Sequence, residues 1–147
     1  MSDKNRFVDN GDGTVSDTLN GLMWTKTDTM NDLEKWVNYQ EAADYARALR
    51  EQKFAGCDDW RLPKKDEMAT LFDKSFENKD QFDKVNHISE VFASGGGFSM
   101  IAEQVVGRMR TWTFNTRTGE YDHPEGLWTL SEAARAVRNI NPDKKTT

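Results

Sequence analysis

The sequence predicts an α+β fold, and three observations carry that reading: short extended runs punctuated by glycine near the N-terminus, a capped helix with an alanine-rich apolar face, and an alternating aromatic hairpin further on. The 147 residues match one ordinary domain and can bury a core without metal or disulfide support. Eight Phe, five Trp and three Tyr in a chain that is 31% charged describe an aromatic core within a polar shell, not a disordered segment.

The first elements are written in turn chemistry. Arg6 to Asp9 and Thr14 to Asp17 are extended runs with Phe7, Val8 and Val15 as their apolar members, and the NGDG between them tolerates positive φ. Thr18 to Gly21 forms a second turn, with Asn-Gly as its two-residue signal, and LMWTK follows as a third strand of the meander. As a calcium loop the stretch fails. Placing Asn10, Asp12 and Gly13 at the third, fifth and sixth positions puts Val8 first and Leu19 twelfth, where carboxylates are required.

Asn38 is placed to cap a helix, with Glu41 completing a capping box, and Tyr39, Ala42, Ala43, Ala46 and Leu49 define its inner face. Gly56 ends the connection that follows. DWRLP, residues 59–63, reads as a short buried strand stopped by its proline, and a second helix is expected from Lys64 to Asp73 with Met68, Leu71 and Phe72 inward. Residues 74–92 keep no sustained period and read as a surface excursion, and ASGGGFSM reads as a flexible loop without the ending of a phosphate loop. MRTWTFNTRTGEY alternates and then turns at Thr118 and Gly119, giving a hairpin. Ala134 to Ile140 is the expected last strand. One domain over residues 6–140 follows, with tails at 1–5 and 141–147.

Charge and composition exclude several classes. With 20 Lys and Arg against 25 Asp and Glu the net charge is −5, which repels a nucleic-acid backbone, and Arg108, Met109, Arg110 and Arg117 read as a solvated strand or as ion-pair partners rather than a phosphate footprint. No apolar run is long enough for a signal peptide or a membrane span, so the chain as written reads as cytoplasmic, or as secreted if it belongs to a longer precursor. Cys57 is alone and lies in a Gly-Cys-Asp-Asp turn among acids, the reverse of the electropositive setting that activates a thiol.

The succession RFVDNGDGTVSDTLNGLMW, an alanine-rich helix, and FAGCDDWRLPKKDEMATLFD resembles the C-terminal domain family of the Legionella collagen-like adhesin. TWTFNTRTG and ARAVRN resemble its later blocks. Two departures stand out: VFASGGGFSMIAEQVVG occupies the region of a Trp-Ser-Ser-Thr-like strand, and Lys64 follows the LP where the family carries a Ser or Thr cap. The resemblance implies a C-type-lectin-like α+β fold, two helices packed on small twisted antiparallel sheets, and binding through the irregular loop face.

Candidate sites follow from these readings. Trp24, Asp59, Trp60, Arg61, Glu67 and Trp112 are assigned structural roles, with Arg61 and a neighbouring acid orienting strand against helix and Trp60 filling the core. Ligand or partner binding is assigned to Arg117, Tyr121, Asp122, His123, Glu125 and Trp128, where aromatics stand beside carboxylates around Pro124. No metal and no cofactor is expected: His87 is the only other imidazole, and a spaced Cys/His framework is missing. The expected function is a non-enzymatic binding module for a protein, or for a glycan or polyanion, through the variable loops of residues 74–128. The alternative is an accessory or regulatory subunit of a larger cytoplasmic complex, and a small enzyme stands third.

Overall fold

The computed structural model describes residues 6–104, 111–122 and 132–140. They form a mixed α and β structure of short helices and small antiparallel sheets. The strands β1 (Phe7–Asp9), β2 (Thr14–Asp17) and β3 (Leu22–Thr25) make the expected meander, and β9 (Val137–Asn139) completes a sheet of order β1-β2-β3-β9. β4 (Asn78–Lys79) pairs with β5 (Val85–Asn86), and β6 (Ser99–Gln104), β7 (Thr111–Asn115) and β8 (Glu120–Asp122) form a third sheet. The helices are α1 (Thr29–Leu33), α2 (Tyr39–Gln52) and α3 (Lys65–Ala69).

Aspartates organise the first turns. Asp9 Oδ1 accepts the Gly11 N–H and Asp12 Oδ1 accepts the Thr14 N–H, so both carboxylates close Asx turns around glycines whose φ values are 83° and 91°. Asp17 does more. It receives both the Nε and Nη2 of Arg6, at 3.0 and 2.9 Å, and the backbone N–H groups of Leu19 and Asn20. The second turn is therefore a four-residue loop closed by Asp17 between paired Asp17 and Leu22, not a two-residue Asn-Gly turn. Arg6 also donates to the Thr70 carbonyl at 2.6 Å, fastening this sheet to the end of α3.

Helix α2 matches its sequence reading. Asn38 accepts the Glu41 N–H while Glu41 accepts the Asn38 N–H, and Ala42 and Ala46 are buried on the inner face. Helix α1 leaves no periodic signal in the sequence. Five residues cannot show a helical period, but Asp28 and Asn31 form a reciprocal capping box at its start. α3 is shorter than the expected Lys64 to Asp73, because the N–H groups of Thr70, Leu71 and Phe72 switch to carbonyls three residues back. Lys64 provides no side-chain cap; Glu67 instead reaches back to the Lys64 N–H at 2.9 Å.

Other expectations need correction. DWRLP contributes a single bridge, Arg61 to Val137, rather than a strand, since Pro63 can extend no ladder. The last strand is confined to Val137–Asn139, with Ala134, Arg135 and Ala136 buried ahead of it. Residues 74–92 are not a surface excursion: Ile88 and Phe92 join the core with Phe7, Trp24, Met68, Leu71, Met100 and Phe114. The segment hides its role because many of its buried groups are polar. Asn78 donates to the Ser89 and Phe92 carbonyls, and Asn86 donates to Thr116 Oγ1.

The glycine run is not a flexible loop either. Gly97 N donates to Asp28 Oδ2 at 3.0 Å, and a Cβ on Gly96 would stand 2.5 Å from that oxygen. A Cβ on Gly97 would stand 2.5 Å from the Ala133 side chain. Glycine is used here for close approach. Asp28 thus caps α1, holds the glycine loop and lies 3.8 Å from the Nη2 of Arg135, both residues being buried. Arg135 Nη1 donates to the Thr25 and Lys26 carbonyls, and its guanidinium lies 4.6 Å from the Phe92 ring centre. Burial pushes the Arg135 guanidinium below the usual arginine value, opposed by Asp28.

Replacing Asp28 with alanine removes the helix cap, the Gly97 acceptor and the counter-charge of Arg135 together. Urea unfolding of Asp28→Ala is expected to show a loss of about 3–5 kcal/mol, the cost of leaving a buried charge unpaired.

Candidate functional site

The β7–β8 hairpin carries Arg117 in its turn and Tyr121 on its second strand, and the fold sends them into two clusters. Asn115 fixes the turn by accepting the N–H groups of Arg117 and Thr118, and Gly119 has φ 80° with Phe72 packed where a Cβ would be. Arg117 then reaches across to the β4–β5 hairpin. Its Nε donates to Asp80 Oδ2 at 2.6 Å, and its guanidinium carbon lies 3.9 Å from the centre of the Phe98 ring.

Asp80 is the organiser of this cluster. Its Oδ1 accepts the N–H groups of Phe82 and Lys84, at 2.8 and 3.1 Å, so one fully buried carboxylate closes the β4–β5 turn and anchors Arg117 at once. Phe82, at the turn's tip, is 58% exposed and tilts onto Phe98 at 6.3 Å, while Trp36 meets Phe98 edge-on at 5.6 Å. Trp36, Phe98 and Phe82 form an aromatic row crossed by one guanidinium. We refer to it as the crest. Phe82, Phe98 and Asp80 were not recognisable from the sequence, since their scatter through an aperiodic segment gave no signal beyond a lone aromatic between turn residues.

Tyr121 belongs to the second cluster. Its ring lies 5.9 Å from Trp112 and 5.4 Å from Phe114, its hydroxyl donates to the Lys65 carbonyl at 2.9 Å, and it remains 41% exposed. The Lys65 ammonium sits 4.1 Å over Trp112. The backbone of Asp122 ends β8, while His123, Glu125 and Trp128 lie outside the described residues. Arg108, Met109 and Arg110 lie outside them as well.

The residues read as structural sit as follows. Trp24 and Trp60 are fully buried, and Trp60 Nε1 donates to the Phe54 carbonyl at 3.0 Å. Arg61 forks onto Glu67 at 2.8 and 3.0 Å and also donates to Asn139 Oδ1, linking α3 to β9. Asp59 pairs with Arg138 at the sheet edge. Cys57 carries a free, half-buried thiol.

Two concavities among the described residues lie away from these clusters. An open groove of about 800 Å³ runs between Asp9, Lys26, Glu77, Lys79 and Glu90 over Phe92, with Asp9 and Lys26 paired at 2.7 Å across its rim. The cavity lined by Asn86, Gly96, Gly97, Thr116 and Arg135 measures about 10 Å³, room for about one water and far below the roughly 300 Å³ of a small-molecule site. Among the described residues, no group of three or more His, Cys, Asp or Glu side chains could hold a metal ion. No described helix is long and apolar enough to cross a membrane.

These features define an α+β framework with aromatic and cationic groups displayed on its hairpins. Residues 13–141 match the model of the Lcl C-terminal domain, and the chain belongs to that family, as its two N-terminal motif blocks imply. No curated protein and no solved structure matches the chain.

The ion pairs give the fold an acid limit. Burial alone would raise the carboxyls of Asp80, Asp17 and Glu67, but bonds from Arg117, Arg6 and Arg61, with backbone or amide donors, hold all three below the usual carboxylate range. A depressed carboxyl stabilises the fold above its unfolded value, and that contribution disappears as pH falls through the folded value. Thermal melts are therefore expected to hold steady above about pH 5 and to fall progressively below about pH 4. Asp80→Asn is expected to melt lower at neutral pH and to show a shallower acid decline.

Proposed function

We propose that residues 6–140 form one non-enzymatic binding domain, a C-type-lectin-like framework that recognises a protein partner through its loop face. The observation that carries this reading is the crest: an exposed Phe82 beside a guanidinium immobilised between Asp80 and Phe98. Aromatic and Arg side chains of this kind dominate the energetics of protein interfaces. Membership of an adhesin-type family supports a binding role. The three small antiparallel sheets and short helices among the described residues, with β9 closing beside the N-terminal meander, are consistent with the lectin-like framework. A glycan is the alternative ligand, for which the exposed Tyr121 beside Trp112 offers a stacking surface.

A second reading, an accessory subunit of a cytoplasmic complex, is favoured by the free thiol of Cys57, which suits a reducing compartment. Both readings place the chemistry in a partner. An enzyme reading has no support from the crest, where Asp80 and Arg117 neutralise one another.

The test pairs native-lysate pull-down with a glycan array, using the immobilised chain and the variant Phe82→Ser, Tyr121→Ala. The expected result is a protein retained by the wild type and reduced roughly tenfold on the variant, as for loss of interface aromatics. Array signal without any protein partner would favour the glycan alternative, and small-molecule turnover by the purified chain would overturn the binding role altogether.

A further inference from the structure

The chemistry of the crest is specific enough to name what the partner must present. Resting on the protein-binding reading above, we propose that the crest takes a polypeptide segment in which a carboxylate stands beside an apolar side chain. The carboxylate forks onto Arg117, and the apolar group lies on Phe82 and Phe98.

Arg117 is arranged for this. Its Nε is committed to Asp80 and its guanidinium carbon lies over the Phe98 ring, and these two contacts restrain the guanidinium. Its two terminal nitrogens, Nη1 and Nη2, make no hydrogen bond to any acceptor among the described residues, and the side chain is 31% exposed. A planar fork with restrained orientation and open N–H groups matches a carboxylate in bidentate geometry. Little rotamer entropy remains to be lost on binding, because the neighbours already hold the side chain.

Asp80 takes Nε and makes no hydrogen bond to those two nitrogens. Both of its oxygens are engaged, Oδ1 by the Phe82 and Lys84 N–H groups and Oδ2 by Arg117 Nε. The apolar half of the site is Phe82, 58% exposed and resting on Phe98. A carboxylate alone would reach the guanidinium in water and gain little; an apolar neighbour seated on the rings dries the pair and strengthens it.

The same charges argue against an extended polyanion. Arg117 is paired with Asp80, and at the tip the exposed Lys84 directly follows the acidic Asp83, so among the described residues these four side chains carry no net positive charge. Binding of a highly charged polymer rests on several cations acting together. One carboxylate needs only one fork.

The experiment selects a phage-displayed random peptide library on the purified full chain. The recovered peptides are then measured against wild type, Arg117→Lys and Phe82→Ser, with heparin-coated and mannan-coated surfaces run in parallel. The expected result is a shared Asp or Glu adjacent to Leu, Met, Phe or Trp. Binding should weaken about tenfold or more with either variant, and equally when the peptide carboxylate is changed to its amide. The peptide change is read on the wild-type chain, so it decides the matter even if Arg117→Lys folds poorly. Peptides that lack a carboxylate, or that ignore both variants, would overturn the inference while leaving a protein-binding role in place. An empty selection overturns it as well, and Arg117-dependent retention on heparin or mannan beside an empty selection would also remove the protein-binding reading.

Discussion

The arrangement depends on a carboxylate and a guanidinium removed from water, Asp28 and Arg135. Their mutual attraction does not by itself make such a pair a net stabiliser, because desolvating both ions is costly. What the pair does is specify. Asp28 fixes where α1 begins and where the glycine run passes, and Arg135 fixes where β3 ends by capping the Thr25 and Lys26 carbonyls. Three separate stretches of chain, residues 25–29, the glycine run and the segment around Arg135, are registered against one another at this point. Gly96 and Gly97 are then steric necessities, as any side chain there would displace Asp28 or Ala133.

The same economy of means recurs at the surface. Backbone N–H groups in the turns are satisfied by Asx side chains: Asp9, Asp12, Asp17, Asp73, Asp80 and Asn115 each close a turn that a sheet ladder does not reach. Loops built this way are held in shape by their own first residue. Phe82 and Arg117 can therefore stand on short connections and still occupy defined positions.

This explains which parts of the molecule were legible in the sequence. The β1–β2 hairpin, α2 with its Asn38 cap, and the β7–β8 hairpin announce themselves through local signals: glycines, a capping box, alternation. Residues 74–92 concealed their fold because Asn78, Asp80 and Asn86 point inward where a pattern reader expects apolar residues. Arg117 and Tyr121 could be named as candidates from their place near a turn. Their partners Asp80, Phe98 and Lys65 could not, since those contacts join residues far apart in the chain and no periodicity encodes them.

The pairing of β3 with β9 sets the order in which the molecule can assemble. Leu22 faces Asn139, and Arg135 reaches Thr25 from 110 positions away. A nascent polypeptide leaving the ribosome has the first three strands before β9, and their open edge waits until residues 137–139 have been synthesised. High contact order of this sort slows the search for the native topology and leaves an unpaired edge exposed in the interval. Closure of this sheet is thus gated by β9, and the nascent meander is the place where a chaperone has the most to protect.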